Sequence, residues 1–94
     1  MSTNYGRINC KEAVWNKGEK IPGKNPDVYR RDAYGNTLYY SSHGKYSDMG
    51  WHIDHIKPKS KGGSNKLRNL QPLQSHTNVA LGGSLVKKSV GKRK

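Results

Sequence analysis

A small single-domain α+β fold follows from three features of the 94-residue sequence. From Trp51 onward the pattern runs strand, long loop, strand, short helix. Upstream, the stretch from Asp32 to Tyr40 carries a hairpin signal, and residues 11–20 hold a short helical run. The expected organisation is one domain over residues 1–86, with its core motif at 51–83. Residues 87–94 form a basic tail with no expected fixed structure. A chain of this length buries only about 60–65% of the surface its unfolded form exposes. With 31% hydrophobic residues, eleven glycines and no phenylalanine, its core rests on Trp15, Trp51, six tyrosines and scattered leucine, isoleucine and valine.

Taken in order, residues 1–10 offer little to order them apart from Ile8. In residues 11–20, Val14 and Trp15 anchor one or two helical turns that Gly18 ends. Pro22 and Pro26 forbid regular helix in the connection that follows. Asp32–Tyr40 reads as two extended pieces around a Gly35-Asn36 turn. A polar loop, His43 to Gly50, precedes the strand Trp51–Ile56, which Pro58 stops. The loop Lys59–Asn65 is hinged by Gly62 and Gly63, whose expected role is to let it turn sharply. Leu67, Leu70 and Leu73 bring the chain back as a second strand. The helix after it takes Ser75 as N-cap, Val79 with Ala80 or Leu81 as its inner face, and Gly82-Gly83 as its end.

Charge narrows the function. Lysine and arginine number 18 against 6 acids, a net charge of +12. Residues 51–94 hold ten basic side chains and a single acid, Asp54. A field of that density favours a polyanion, bound with release of counterions. Lys57, Lys59, Lys61, Lys66 and Arg68 crowd the glycine loop and are expected to meet a nucleic-acid backbone. Arg30 and Arg31 either hold a phosphate or pair with Asp27 or Asp32. The lone Cys10 is expected to pack as a small apolar residue, and it excludes an intramolecular disulfide and any Cys-rich structural zinc knuckle. No apolar run approaches the ~20 residues of a membrane span. The N-terminus also lacks the basic-then-apolar order of a signal peptide. A soluble, intracellular protein is expected.

Cutting a phosphodiester requires an activated water and something to neutralise charge on the phosphate and the leaving oxygen. A hard cation such as magnesium supplies the second and takes oxygen ligands. A neutral histidine supplies the first. Asp54 sits between His52 and His55 at the end of a strand. Strict alternation sends Asp54 and His55 to opposite faces, so the strand must twist or break after Ile53 for both to reach one phosphate. Asn78 lies in the first turns of the helix and would be folded back toward Asp54.

The run W-H-I-D-H-I-K-P-K-S-K-G-G-S-N-K-L-R-N-L-Q-P-L-Q-S-H-T-N-V-A-L-G-G, Trp51 to Gly83, resembles the HNH nuclease motif, the ββα-metal finger. Trp15, Pro26, Arg30-Arg31-Asp32, Gly35 and Tyr46 leading into Gly50-Trp51 are also similar to a subgroup of small HNH proteins. The resemblance implies that His55 is the general base and that Asp54 is a metal ligand. It implies that Asn69 ties the long loop by backbone hydrogen bonds and keeps His55 oriented. Asn78, where histidine is usual, would be the second ligand of a stand-alone H-N-N variant. His76 is the alternative ligand, although it lies about 200° from Asn78 around the helix. His52 reads as a surface or substrate-contacting residue, and His43 as an ordinary loop residue.

By the same resemblance, one divalent metal serves the site, magnesium first, with manganese, nickel or zinc as alternatives. DNA, double-stranded above all, is the implied substrate, and the products carry 5′-phosphate and 3′-hydroxyl ends. A homodimer or a larger partner protein could supply sequence specificity. The sequence departs from the subgroup at three positions: Ser75 stands where an aromatic residue is usual, Leu81 where a lysine is, and His52 where a glutamate often is. Ser75 and Leu81 favour a rival reading, a non-catalytic nucleic-acid-binding module that keeps the fold. A basic ribosome-associated protein is a third reading.

Overall fold

Asp32 and Lys17 join the two halves of this chain, and both do so by hydrogen bonds rather than apolar contact. The computed structural model describes residues 8–90. Its elements are α1 (Ile8–Trp15), β1 (Tyr29–Arg31), β2 (Thr37–Tyr39), β3 (Trp51–His55), β4 (Leu70–Gln74) and α2 (Ser75–Leu81). Short 3-10 turns intervene at Tyr40–Ser42, Lys59–Lys61 and Leu67–Asn69. β1 pairs antiparallel with β2, and β3 pairs antiparallel with β4, in two separate two-stranded sheets. The α+β architecture expected from the sequence is thus present, with a β-β-α unit in the C-terminal half.

The first hairpin begins earlier than its sequence suggests. Asp32 through Tyr34 turn instead of extending, because the Asp32 carboxylate captures the backbone. Its Oδ1 accepts from the N–H groups of Tyr34 and Asn36, each at 2.9 Å. Gly35 completes the turn at φ +88°, where a side chain would be strained. The strands therefore flank residues 32–36, with Arg30 opposite Leu38.

Trp15, Leu38 and Trp51 form the buried core, with Tyr40 and Ile53 packed against it. The two indoles lie 5.0 Å apart, and Tyr40 meets Trp15 edge-on at 5.2 Å. Both indole N–H groups find carbonyls, Trp15 on Pro26 at 2.9 Å and Trp51 on Tyr39 at 3.1 Å. This is how two tryptophans can fill a core that lacks phenylalanine without leaving a polar atom stranded. Cys10 and Val14 are buried as well.

All of β4 is buried. Its Pro72, opposite Ile53, is tolerated because a two-stranded sheet asks each strand for hydrogen bonds on one side only. Leu67 does not join β4; it lies in a 3-10 turn and is exposed. Lys17, just past α1, donates to the carbonyl of Leu67 at 2.6 Å and to that of Leu70. Burial lowers the pKa of its ammonium. The N-terminal segment is thus clamped to the start of β4.

α2 starts one residue earlier than a Ser75 cap would have it. Gln74 is the N-cap, its Oε1 accepting from the Thr77 N–H at 2.8 Å. Ser75 is buried inside the first turn. Val79 is 62% exposed, and His76 and Ala80 are also outward, so the expected apolar inner face is absent. Ser75, Asn78 and Leu81, at helical spacing, are the more enclosed positions. The helix covers the hairpin with a mostly polar face.

Asp32 is 1% exposed and carries the junction between halves. Its Oδ2 accepts from the Gln74 N–H and from Asn36 Nδ2, both at 3.0 Å. Asn36 in turn reaches Thr77 Oγ1 at 3.1 Å. Replacing Asp32 with alanine strands several buried donors at once. The expected cost is about 3 kcal/mol of unfolding free energy, measured by urea denaturation with Trp15 and Trp51 as fluorescent reporters.

Candidate active site

β3 carries Asp54 and His55 to the mouth of a 14-residue loop, 56–69, that returns to β4. Across the ladder Asp54 faces Gln71, and His55 faces Leu70. The loop is tied from within. Asn69 Oδ1 accepts from the Lys57 N–H at 2.9 Å. Its Nδ2 donates to the carbonyls of Lys57 at 3.0 Å and Ser64 at 2.8 Å. The backbone adds Ile56 N–H to the Asn69 carbonyl at 2.8 Å. Gly63 lies inside this knot. A Cβ there would stand 1.8 Å from the Lys57 carbonyl oxygen, so no side chain fits. Gly62 beside it holds φ +87°. The two glycines permit the knot.

His55 has a partner that nothing in the local residue pattern singles out. Its Nε2 is 2.7 Å from Asn65 Oδ1. A carboxamide oxygen only accepts, so Nε2 carries the proton and a neutral ring has its lone pair on Nδ1. Asn65 lies at the end of the glycine loop that Asn69 closes, so the knot and the imidazole are mechanically linked.

Asp54 is the chemically exposed group of the site, although it is largely buried. Its Oδ2 is shut off from solvent with no hydrogen-bond donor among the described residues. The ammonium of Lys87 stands 3.3 Å from that same oxygen. The ammonium pairs the charge of the carboxylate, and no other donor reaches that oxygen among the described residues. Burial pushes the Asp54 carboxyl above its usual range, and the Lys87 ammonium, then the charge and backbone N–H of His55, oppose that push. A desolvated carboxylate oxygen with no donor fits a hard cation.

Asn78 occupies the fourth position of α2, on the side of Ser75, and is partly buried. Ser75 fixes that side against β3. Its hydroxyl donates to the Lys45 carbonyl at 2.6 Å and accepts from His52 Nδ1 at 3.0 Å. Asn78 therefore lies on the helix side turned toward the strand that bears Asp54. His76 is exposed, its ring 6.4 Å from that of Tyr46, and Tyr46 also lies 5.4 Å from His52. Among the described residues no three His, Cys, Asp or Glu side chains converge as a metal cluster. Any ion at Asp54 would depend on neutral oxygen donors such as Asn78 and water. His43 packs on Trp51 at 4.5 Å, and burial, then Lys11 and His52, lower its pKa.

The basic residues divide into two groups. Lys57, Lys59, Lys61, Lys66 and Arg68 are all exposed around the loop. Arg30 is not available to a phosphate. It is 6% exposed, with Nε on the Pro26 carbonyl at 2.9 Å and Nη1 on those of Asn16 at 2.9 Å and Gly18 at 3.0 Å. Three carbonyls satisfy it, which also rules it out as the ion-pair partner considered from the sequence. Arg31 is partly exposed, and its backbone exchanges two 2.8 Å hydrogen bonds with Glu19.

The basic tail also departs from expectation. Residues 84–90 run back over the site, where Lys87 N–H donates to the Ile56 carbonyl at 2.9 Å and Lys88 N–H to Tyr34 Oη at 3.0 Å. The Gln71 side chain takes hold of Lys88 and Val90. Residues 91–94 lie outside the described residues.

A hairpin with a knotted loop and a helix folded across it defines a ββα unit. A family model described as HNH endonuclease matches residues 41–82, which include β3, the loop, β4 and α2. Residues 41–82 are thus similar to an HNH-type domain, a family that points to nuclease or nucleic-acid-binding function. No curated protein and no solved structure matches the chain. No helix among the described residues is long and apolar enough to cross a membrane.

Asn65→Ala separates orientation from folding. The expected outcome is an unchanged melting temperature within 2–3 °C, since a single partly exposed side-chain contact is lost. The His55 ring resonances should at the same time shift from the Nε2–H form toward a tautomer mixture in ¹⁵N NMR. An unshifted tautomer would show that something other than Asn65 sets it.

Proposed function

We propose that this chain is a metal-dependent endonuclease that hydrolyses phosphodiester bonds of double-stranded DNA. The observation that carries the reading is Asp54 Oδ2, a solvent-excluded carboxylate oxygen approached by the Lys87 ammonium, on the residue before His55, whose ring Asn65 holds. A buried unsatisfied oxygen costs stability, and it is tolerated where an ion or substrate completes it.

The roles follow from position. His55 takes the proton of the attacking water at Nδ1, while its Nε2–H stays on Asn65 Oδ1. Asn69 is a positioning residue: it closes the loop that presents Asn65. Asp54 and Asn78 would hold one divalent cation, magnesium first and manganese, nickel or zinc as alternatives. Such an ion, when bound, supplies positive charge to the phosphate oxygens and the departing 3′ oxygen. His76 serves as a ligand only if α2 rotates, since its ring faces Tyr46. Lys57, Lys59, Lys61, Lys66 and Arg68, with Arg31, hold the DNA backbone through charge, which makes binding fall steeply with salt. So small a reading surface gives a single copy little means of sequence recognition, and a second copy or a partner protein would supply it. Basic character and the family together favour an intracellular nucleic-acid target.

The test is conversion of supercoiled plasmid to nicked or linear DNA. Wild type with Mg²⁺ or Mn²⁺ should cut and EDTA should stop it. His55→Ala should lower the rate by about 10²–10⁴-fold, the range for loss of a general base. Asp54→Ala should abolish cutting while leaving gel retardation of the plasmid intact. Retardation by every variant without cutting, with or without metal, would make the chain a non-catalytic binding module.

A further inference from the structure

Lys87 is buried where its neighbours should be. Leu85 is 52% exposed and Val86 62% exposed, yet Lys87 is 6% exposed. Apolar burial alone would choose the opposite register, since leaving an aliphatic residue in water while desolvating an ammonium is unfavourable twice over. The strap 84–90 therefore takes its register from Asp54 Oδ2, the oxygen 3.3 Å from Lys87 Nζ. Its other anchors are the few hydrogen bonds to Ile56, Tyr34 and Gln71 and the Lys88 ammonium 5.2 Å above the Tyr34 ring. Segments with few buried apolar contacts open at low cost.

We propose that this strap is a displaceable plug of the ion site: the Lys87 ammonium and a divalent cation compete for the same Asp54 carboxylate, and loading the site ejects the strap. The inference rests on the reading of Asp54 as an ion ligand. Two cations cannot share one desolvated carboxylate oxygen without strong mutual repulsion. Without the ion, Lys87 keeps a buried negative charge paired. With it, Lys87 and Lys88 are freed beside the exposed lysines of the loop. Apparent metal affinity is then reduced by the fraction of molecules in which the strap is open.

The experiment is Mg²⁺ titration by calorimetry on wild type, Lys87→Met and Asp54→Asn, with hydrogen exchange of the C-terminal peptide as a readout independent of cutting. Lys87→Met should bind Mg²⁺ about ten- to a hundredfold more tightly, the factor for a strap closed in about 90–99% of molecules. In wild type, Mg²⁺ should speed exchange across residues 84–90, and Asp54→Asn should show neither binding nor that response. Equal affinity in wild type and Lys87→Met, with exchange unmoved by Mg²⁺, overturns the plug and leaves Asp54 as the ligand. Weaker binding in Lys87→Met also overturns it, because Lys87 would then support the ion. Retained binding in Asp54→Asn, or no binding in any protein, overturns both the plug and the ligand assignment. If Lys87→Met fails to fold, the exchange response of wild type decides alone.

Discussion

The buried carboxylate of Asp32 is the interaction on which the rest of this structure depends. The molecule has two small sheets, neither stable alone, joined by a small apolar core of Trp15, Leu38 and Trp51. Asp32 closes the turn of the first hairpin through Tyr34 and Asn36, then accepts the Gln74 N–H where β4 passes into α2. One side chain thus sets the first hairpin against the unit that carries Asp54, His55 and Asn78. Lys17 completes the junction from the other side by gripping the carbonyls of Leu67 and Leu70. Charge-assisted hydrogen bonds suit a chain that has too few aliphatic residues to do the same by packing.

The same economy shapes the site. The loop 56–69 has little hydrophobic anchorage of its own, and Asn69 replaces that anchorage with three hydrogen bonds to its backbone. Gly63 is the steric counterpart, since any side chain would strike the Lys57 carbonyl. Rigidity so obtained passes through Asn65 to the His55 ring. α2 packs by its polar side, with Ser75 between Lys45 and His52, so the hairpin face beneath it remains hospitable to charge. Val79 points away as a consequence.

Much of this was legible in the sequence, for identifiable reasons. The order strand, loop, strand, helix could be read from the spacing of Trp51, Pro58, Gly62-Gly63, the leucines and Ser75. The indole core was legible because tryptophan is the largest apolar side chain in a sequence that has no phenylalanine. Four features were not legible. Arg30 and Lys87 are cations, and a cation in a basic chain reads as solvated until its partners in space are known: three carbonyls for one, Asp54 for the other. Asn65 is an ordinary loop residue by composition, and only the folded loop places it 2.7 Å from His55. Asp32 looked extended because its turn-forming bonds are made by its side chain, which strand patterning ignores. In each case the missing information is the hydrogen-bond or charge partner of a polar side chain.

The central claim is that an ion sits between β3 and α2, held by Asp54 and Asn78. It is tested most directly by crystals soaked in Mn²⁺, with diffraction recorded on both sides of the manganese absorption edge. The account predicts one anomalous peak within about 2.0–2.2 Å of an Asp54 carboxylate oxygen, with the Asn78 side-chain oxygen as its second protein ligand. A peak held by His76 and its neighbours, or no peak near Asp54 at saturating Mn²⁺, would contradict it.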